Sequence, residues 1–202
     1  MKVLVIVDMQ NDFVHGALGS EAAQSAEREI LKLLPEYKGE DNLIIFTKDT
    51  HSIDYLKTNE GKHLPVEHCI YDTEGWCITK PLASEVMAPG YCLCEMPWYD
   101  ISNGRLEKDT FGSFDLGAAL SAIDRDKKID EIHFVGVCTD ICVVSNALMA
   151  KSYFPNAKIS INPKLCAGTS INNHLSAIDV MRSCQIDIIE TEEKILEKEL
   201  VR

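Results

Sequence analysis

The 202-residue sequence predicts an α/β fold: a three-layer α/β/α sandwich around a mostly parallel, doubly wound sheet of about six strands. Two observations carry this expectation. The apolar runs are short, β-branched and continuous rather than alternating, as strands buried on both faces must be. Between them lie longer stretches with apolar residues at helical spacing, so strands and helices take turns along the chain.

VLVIVDMQ, Val3 to Gln10, is the first strand, apolar up to Asp8. SEAAQSAEREILKLL, Ser20 to Leu34, is a helix: Ser20 is a natural N-cap, and Ala22, Ala26, Ile30 and Leu33 fall on one face. NLIIFTKD, Asn42 to Asp49, repeats the strand pattern. From His51 to about Asn103 the periodicity fades, as in long functional loops. A short strand follows at Arg105 to Lys108, then a helix from Ser113 to Ile123 with Ser113 as cap. EIHFVGV, Glu131 to Val137, is a strand, and Asp140 to Phe154 a helix capped by Thr139 or Asp140. KISINP, Lys158 to Pro163, is a strand; Thr169 to Cys184 a helix; QIDIIE, Gln185 to Glu190, the last strand. The Glu-rich stretch Glu190 to Glu199 reads as a solvated helix face.

The length suits a single domain, residues 1–202, with a sizeable core. With 46% hydrophobic and 26% charged residues, the composition is that of a globular protein. A net charge of -12 argues against a nucleic-acid backbone or an anionic membrane as partner. The run Val3 to Val7 is too short to span a membrane and lacks the features of a signal peptide, so the expected compartment is cytoplasmic. Eight cysteines in a chain this long and this apolar read as free thiols rather than staples. There is no GxGxxG after the first strand and no GxxxxGK[ST], so nucleotide binding gains no support. The expected partner is a small molecule, and a homo-oligomer is left open.

In a parallel sheet, ligands bind beyond the carboxyl ends of the strands. That rule selects Asp8 after the first strand, Asp49 and His51 after the second, Lys108 at the third, and Cys138, Asp140 and Cys142 after the fourth. Cys142 falls in the first turn of its helix, where free N–H groups and the helix dipole favour thiolate; Cys138 lies before the cap, at the strand end. Backbone N–H groups at such a turn are natural donors to an oxyanion. An attacking thiol needs a base, and a leaving group needs an acid; Asp8 can serve as both, with Lys108 stabilising the charges. Each residue alone also has a plain reading: Asp8 as a turn residue, Lys108 as a surface cation, a cysteine as a small core hydrophobe. Their combination favours chemistry.

VIVDMQNDF (Val5 to Phe13), KDTFGSF (Lys108 to Phe114) and GVCTDICV (Gly136 to Val143) resemble the three signature stretches of the isochorismatase-like cysteine hydrolases. Within that superfamily the chain is most similar to the nicotinamidases (pyrazinamidases), from Val3 to about Leu148 and less distinctively beyond. The resemblance implies the isochorismatase-like, Rossmann-like form of the doubly wound fold. It implies Asp8, Lys108 and Cys142 as catalytic residues, and the backbone N–H groups of Cys138 and Cys142 as the oxyanion hole. The Val137–Cys138 peptide corresponds to a characteristic cis bond.

The resemblance also implies a divalent metal ion, zinc first, manganese or iron otherwise. Asp49 and His51 match a DxH ligand pair, Glu60 a third ligand and His68 a fourth; His63 is a rival to His68, because the segment between Glu60 and His68 is one residue longer than in the family pattern. The implied role of the metal is to grip a pyridine nitrogen. Phe13 matches a ring-stacking residue, Phe111 and Leu64 further substrate-binding positions, and Trp76 is expected to pack its loop. The implied reaction is conversion of nicotinamide and water to nicotinic acid and ammonia through a Cys142 thioester. Two alternatives stand beside it: a cysteine amidase acting on another small amide or ureido compound, and a non-catalytic thiol or metal-binding protein.

Overall fold

The computed structural model describes residues 1–39, 41–86 and 105–189. Among these, six parallel strands form one sheet: β1 (Lys2–Val7), β2 (Asn42–Asp49), β3 (Arg105–Lys108), β4 (Glu131–Val137), β5 (Lys158–Ala167) and β6 (Asp187–Ile188), in the order β3-β2-β1-β4-β5-β6. Chain order reverses between β1 and β4, which makes that crevice the topological switch point.

Both faces are covered. Val3, Val5 and Val7 of β1 point to one side, where they meet α5 (Phe114–Asp126), α6 (Val144–Tyr153) and α7 (Ile171–Ser183) through Leu116, Ala147 and Met181. Leu4 and Ile6 point to the other, against Ala26 and Ile30 of α2 (Glu21–Leu33). The continuous apolar run is thus divided residue by residue between two cores. Three further short helices are α1 (Asn11–Val14), α3 (Asn59–His63) and α4 (Lys80–Val86).

Ser20 and Ser113 cap their helices as expected, accepting from Ala23 N and Leu116 N, and Ser170 caps α7; each such cap is worth about 1 kcal/mol. The segment before α6 differs from expectation. Thr139–Val143 forms one wide π-type turn, and Cys138 takes the N-cap position with no side-chain cap. Thr139 and Asp140 instead bond outward, to His174 and Thr169. β5 also runs past Pro163 to Ala167. Phe134 pairs with Ile161 while Gly136 pairs with Cys166, so the intervening residues of β5 bulge away from β4. Pro163 lies in that bulge, where its missing N–H costs no ladder bond. The last strand is shorter than its apolar pattern, with only Asp187 and Ile188 paired. The Glu-rich stretch from Glu190 lies outside the described residues.

Gly136 has a φ of 113°, and a Cβ there would overlap the carbonyl oxygen of Val7 on the neighbouring strand. β4 can therefore approach β1 this closely only because the residue is glycine. Among the described residues, no helix is long and apolar enough to cross a membrane.

Candidate active site

The carboxyl ends of β1, β2, β3 and β4 bring the predicted polar residues to one crevice. Asp8 leaves β1 with a φ of 48°, a conformation Asp tolerates better than most residues. Its amide donates to the Thr47 carbonyl at 3.2 Å, and Thr47 Oγ1 donates to Asp8 Oδ1 at 2.7 Å. Lys108 comes from the end of β3. Its Nζ lies 2.7 Å from Asp8 Oδ2, 3.4 Å from Asp49 Oδ1 and 3.6 Å from Cys142 Sγ. One buried ammonium thus touches the acid, the thiol and the start of the DxH group.

Cys142 enters from the π-type turn, in which the Cys138 carbonyl accepts from both Ile141 N (3.1 Å) and Val143 N (3.0 Å). The Val137–Cys138 peptide is cis. Asp8, Lys108 and Cys142 are all buried, and burial decides their protonation. It pushes the Asp8 carboxyl up, against the pull of Lys108. It also raises the Cys142 thiol well above its usual value, with the negative charge of Asp8 adding to the rise and Lys108 opposing it. The helix terminus, which favours thiolate, is thus opposed here by burial and by the charge of Asp8, both of which favour the thiol. For Lys108, burial works against the charge, but Asp8, Cys142 and Asp49 outweigh it and the ammonium is held. Cys138 lies outside this contact set, its thiol pushed up to about 12 by burial and Asp140.

Asp49, His51, Glu60 and His68 form a second group. One donor atom from each lies within 4.8 Å of all the others. Asp49 Oδ2 is 2.9 Å from His51 Nε2 and 3.5 Å from His68 Nε2, and Glu60 Oε1 is 3.7 and 3.9 Å from those nitrogens. A tetrahedral ion with bonds of about 2.1 Å sets its donors about 3.4 Å apart, so the spacing fits a single cation. The ring of His68 is aimed by its Nδ1, 2.8 Å from the Val66 carbonyl. His51 Nε2 is buried with no aligned hydrogen-bond partner. Two carboxylates and two imidazoles, with Lys108 reaching Asp49 alone at 3.4 Å, suit a divalent cation. His63 is not in this group; its Nδ1 sits 2.8 Å from the Asn59 carbonyl, on the rim of the cavity.

Cys142 and three members of the ligand group, Asp49, Glu60 and His68, line one cavity of about 500 Å³. Phe13, Leu64 and Phe111 line it, with the Phe13 ring 5.4 Å from that of His68. Trp76 stays out of it: it is fully buried, donates from Nε1 to Thr50 Oγ1 at 2.8 Å and meets the ring of Tyr71. Sequence reasoning missed the other walls, Leu18 and Ala23 on one side and Ala167, Gly168 and Thr169 on the other. It also missed Gln10, whose amide accepts from Asp49 N at 2.7 Å and donates to Asp49 O at 2.8 Å, and Tyr55, whose ring packs on both His51 and His68. Gln10 sits two residues beyond Asp8, and that adjacency was the available signal.

The chain matches the isochorismatase domain model over residues 2–193. It is 29% identical to a nicotinamidase of Schizosaccharomyces pombe, with 96% of this chain and 95% of that protein covered. It is 26% identical to a nicotinamidase/pyrazinamidase of Mycobacterium tuberculosis, with coverage of 94% and 98%. The crystal structure of a Bacillus subtilis nicotinamidase/pyrazinamidase superposes with a TM-score of 0.74 at 26% identity, covering 94% of this chain and 99% of that one. With these relatives and with a buried Asp–Lys–Cys group at the switch point of its sheet, the chain belongs to the isochorismatase family.

Proposed function

We propose that this nicotinamidase-like enzyme hydrolyses nicotinamide to nicotinic acid and ammonia through a thioester on Cys142. The observation that carries the reading is Lys108 Nζ at 2.7 Å from Asp8 and 3.6 Å from the Sγ of Cys142, a residue that lines the cavity. The two similar proteins named above as nicotinamidases support the choice of amide.

Burial raises the Cys142 thiol, so attack begins with proton transfer from Cys142 to Asp8. The sulfur adds to the carboxamide carbon, and the backbone N–H groups of Cys138 and Cys142 donate to the resulting oxyanion. Asp8 returns its proton to the amine, and the C–N bond breaks to release ammonia and leave a thioester. Asp8 then removes a proton from water as the water adds to the thioester carbonyl. Collapse of that adduct releases nicotinic acid and the Cys142 sulfur, which recovers the proton. Lys108 remains charged throughout, balancing whichever of Asp8 and Cys142 is negative.

Asp49, His51, Glu60 and His68 would hold a divalent ion, zinc first by ligand type and manganese or iron otherwise. When bound, such an ion supplies a Lewis-acid contact for the pyridine nitrogen. Phe13, Leu64 and Phe111 then flank the ring. On this reading the protein is a cytoplasmic, single-domain enzyme of pyridine-nucleotide (NAD) salvage. The experiment is ammonia release from nicotinamide by the purified, metal-supplied protein; turnover is expected, and its absence overturns the proposal.

A further inference from the structure

Asn146 is buried, with about 1% of its surface exposed, one helical turn beyond Cys142. Its side chain joins two elements of the site. Nδ2 donates to the Cys142 carbonyl at 2.8 Å and to the Phe111 carbonyl at 3.1 Å, and Oδ1 accepts from Ser113 N at 2.9 Å. One amide thus uses both N–H groups and its oxygen on three backbone groups, two of which belong to the loop between β3 and α5.

That loop carries Phe111. Its first end is fixed by the sheet: Lys108 pairs with Asp49, and Thr50 N donates to the Lys108 carbonyl at 2.8 Å. Its second end is held to α6 by Asn146. Gly112 marks how closely the two approach, since a Cβ there would crowd Met149 Cε, with Ser145 next nearest. Phe111 is 47% exposed, so the backbone on either side of it decides where the ring stands over the cavity.

We infer that Asn146 is a positioning residue for substrate binding, setting Phe111 at a fixed place relative to Cys142. The inference rests on the amidase reading above and assigns to that site a determinant of its affinity for aromatic amides. Asn146 does not reach the reacting atoms. It acts through Phe111, so its loss should appear in ring binding before it appears in bond making.

The test uses Asn146→Thr. A threonine hydroxyl can still bond the Cys142 carbonyl within its own helix but cannot also reach Phe111 O and Ser113 N. With nicotinamide, KM is expected to rise about 5-fold, the worth of one aromatic contact, while kcat stays within about 2-fold. In a Phe111→Ala background, Asn146→Thr should raise KM by no more than about 2-fold further, because residues that act through one another are not additive. Asn146→Asp, equal in shape, keeps the acceptor for Ser113 N and loses both donors; it serves as the second variant should the first fold poorly, with the same expected rise. A fall in kcat and melting temperature with KM unchanged, or independent effects in the double variant, overturns the inference. A wild-type protein inert toward nicotinamide overturns the amidase reading and the inference with it.

Discussion

The two ends of the sheet bury titratable groups in opposite ways. At the carboxyl ends, the Lys108 ammonium lies 2.7 Å from the Asp8 carboxyl and 3.4 Å from that of Asp49, beside a thiol and a cavity. Toward the amino ends, His133 of β4 is buried with its Nδ1 3.0 Å from the Tyr37 hydroxyl. Burial lowers His133 to about 4, against the pull of Glu131, and raises Tyr37 to about 12, so both are neutral. Burying a polar group therefore does not mark a site. What marks one is opposite charge gathered where a ligand can enter, at a desolvation cost that a neutral pair avoids.

The comparison can be broken most sharply at the thiol. Cys142→Ala should lower nicotinamide turnover by at least about 10⁴-fold while leaving the fold intact, read by ammonia release and circular dichroism. Residual turnover near wild type would remove the chemistry from this end of the sheet. Next in size, Asp49→Ala should weaken metal binding by more than about 100-fold. Elemental analysis of the purified variant checks this; one retained equivalent of ion would assign the ligand group elsewhere.

The amino end predicts a different readout. The folded pKa of His133, about 4, lies below its unfolded value of about 6.5. Its stabilising contribution is present above pH 6.5 and is lost as pH falls toward 4, by about 3 kcal/mol. His133→Gln should remove that share of the pH dependence in urea unfolding without changing turnover at neutral pH. An unchanged slope would mean that the neutral pair is not what titrates. The smallest effect is expected at Cys138→Ala, which keeps the backbone N–H and should hold turnover within about 2-fold. A loss as large as that of Cys142→Ala would erase the distinction between the two thiols.

Much of this was legible in the sequence because parallel strands announce themselves as continuous apolar runs, and their last residues point at the ligand. Asp8, Asp49 and Lys108 follow from that rule alone, and the four-residue interval separates Cys142 from Cys138. Less legible was anything fixed by contacts across the chain. Asn146 reads as an ordinary helix residue until the β3–α5 loop is laid against it. Ala23, Ala167 and Gly168 are small residues whose role is to leave space, and no local pattern distinguishes space left for a ligand from space left for packing. The π-type turn was hidden for a related reason: Thr139 and Asp140 look like caps, but their partners lie on His174 and Thr169, about thirty residues away. Pro163 misled because a proline usually ends a strand, whereas here the strand bulges around it.

Gly136 has an evolutionary consequence. Its hydrogen stands where any other side chain would strike the Val7 carbonyl, one residue before Asp8 and one before the Val137–Cys138 peptide. The position makes no contact with substrate in the proposed reaction. Yet a library randomised at this codon and selected for activity should return glycine almost alone, because alanine already wedges apart the two strands that carry acid and thiol. Tolerance to substitution here would be governed by hard-sphere exclusion, and would look, to anyone scoring variants by function, indistinguishable from that of the proposed nucleophile.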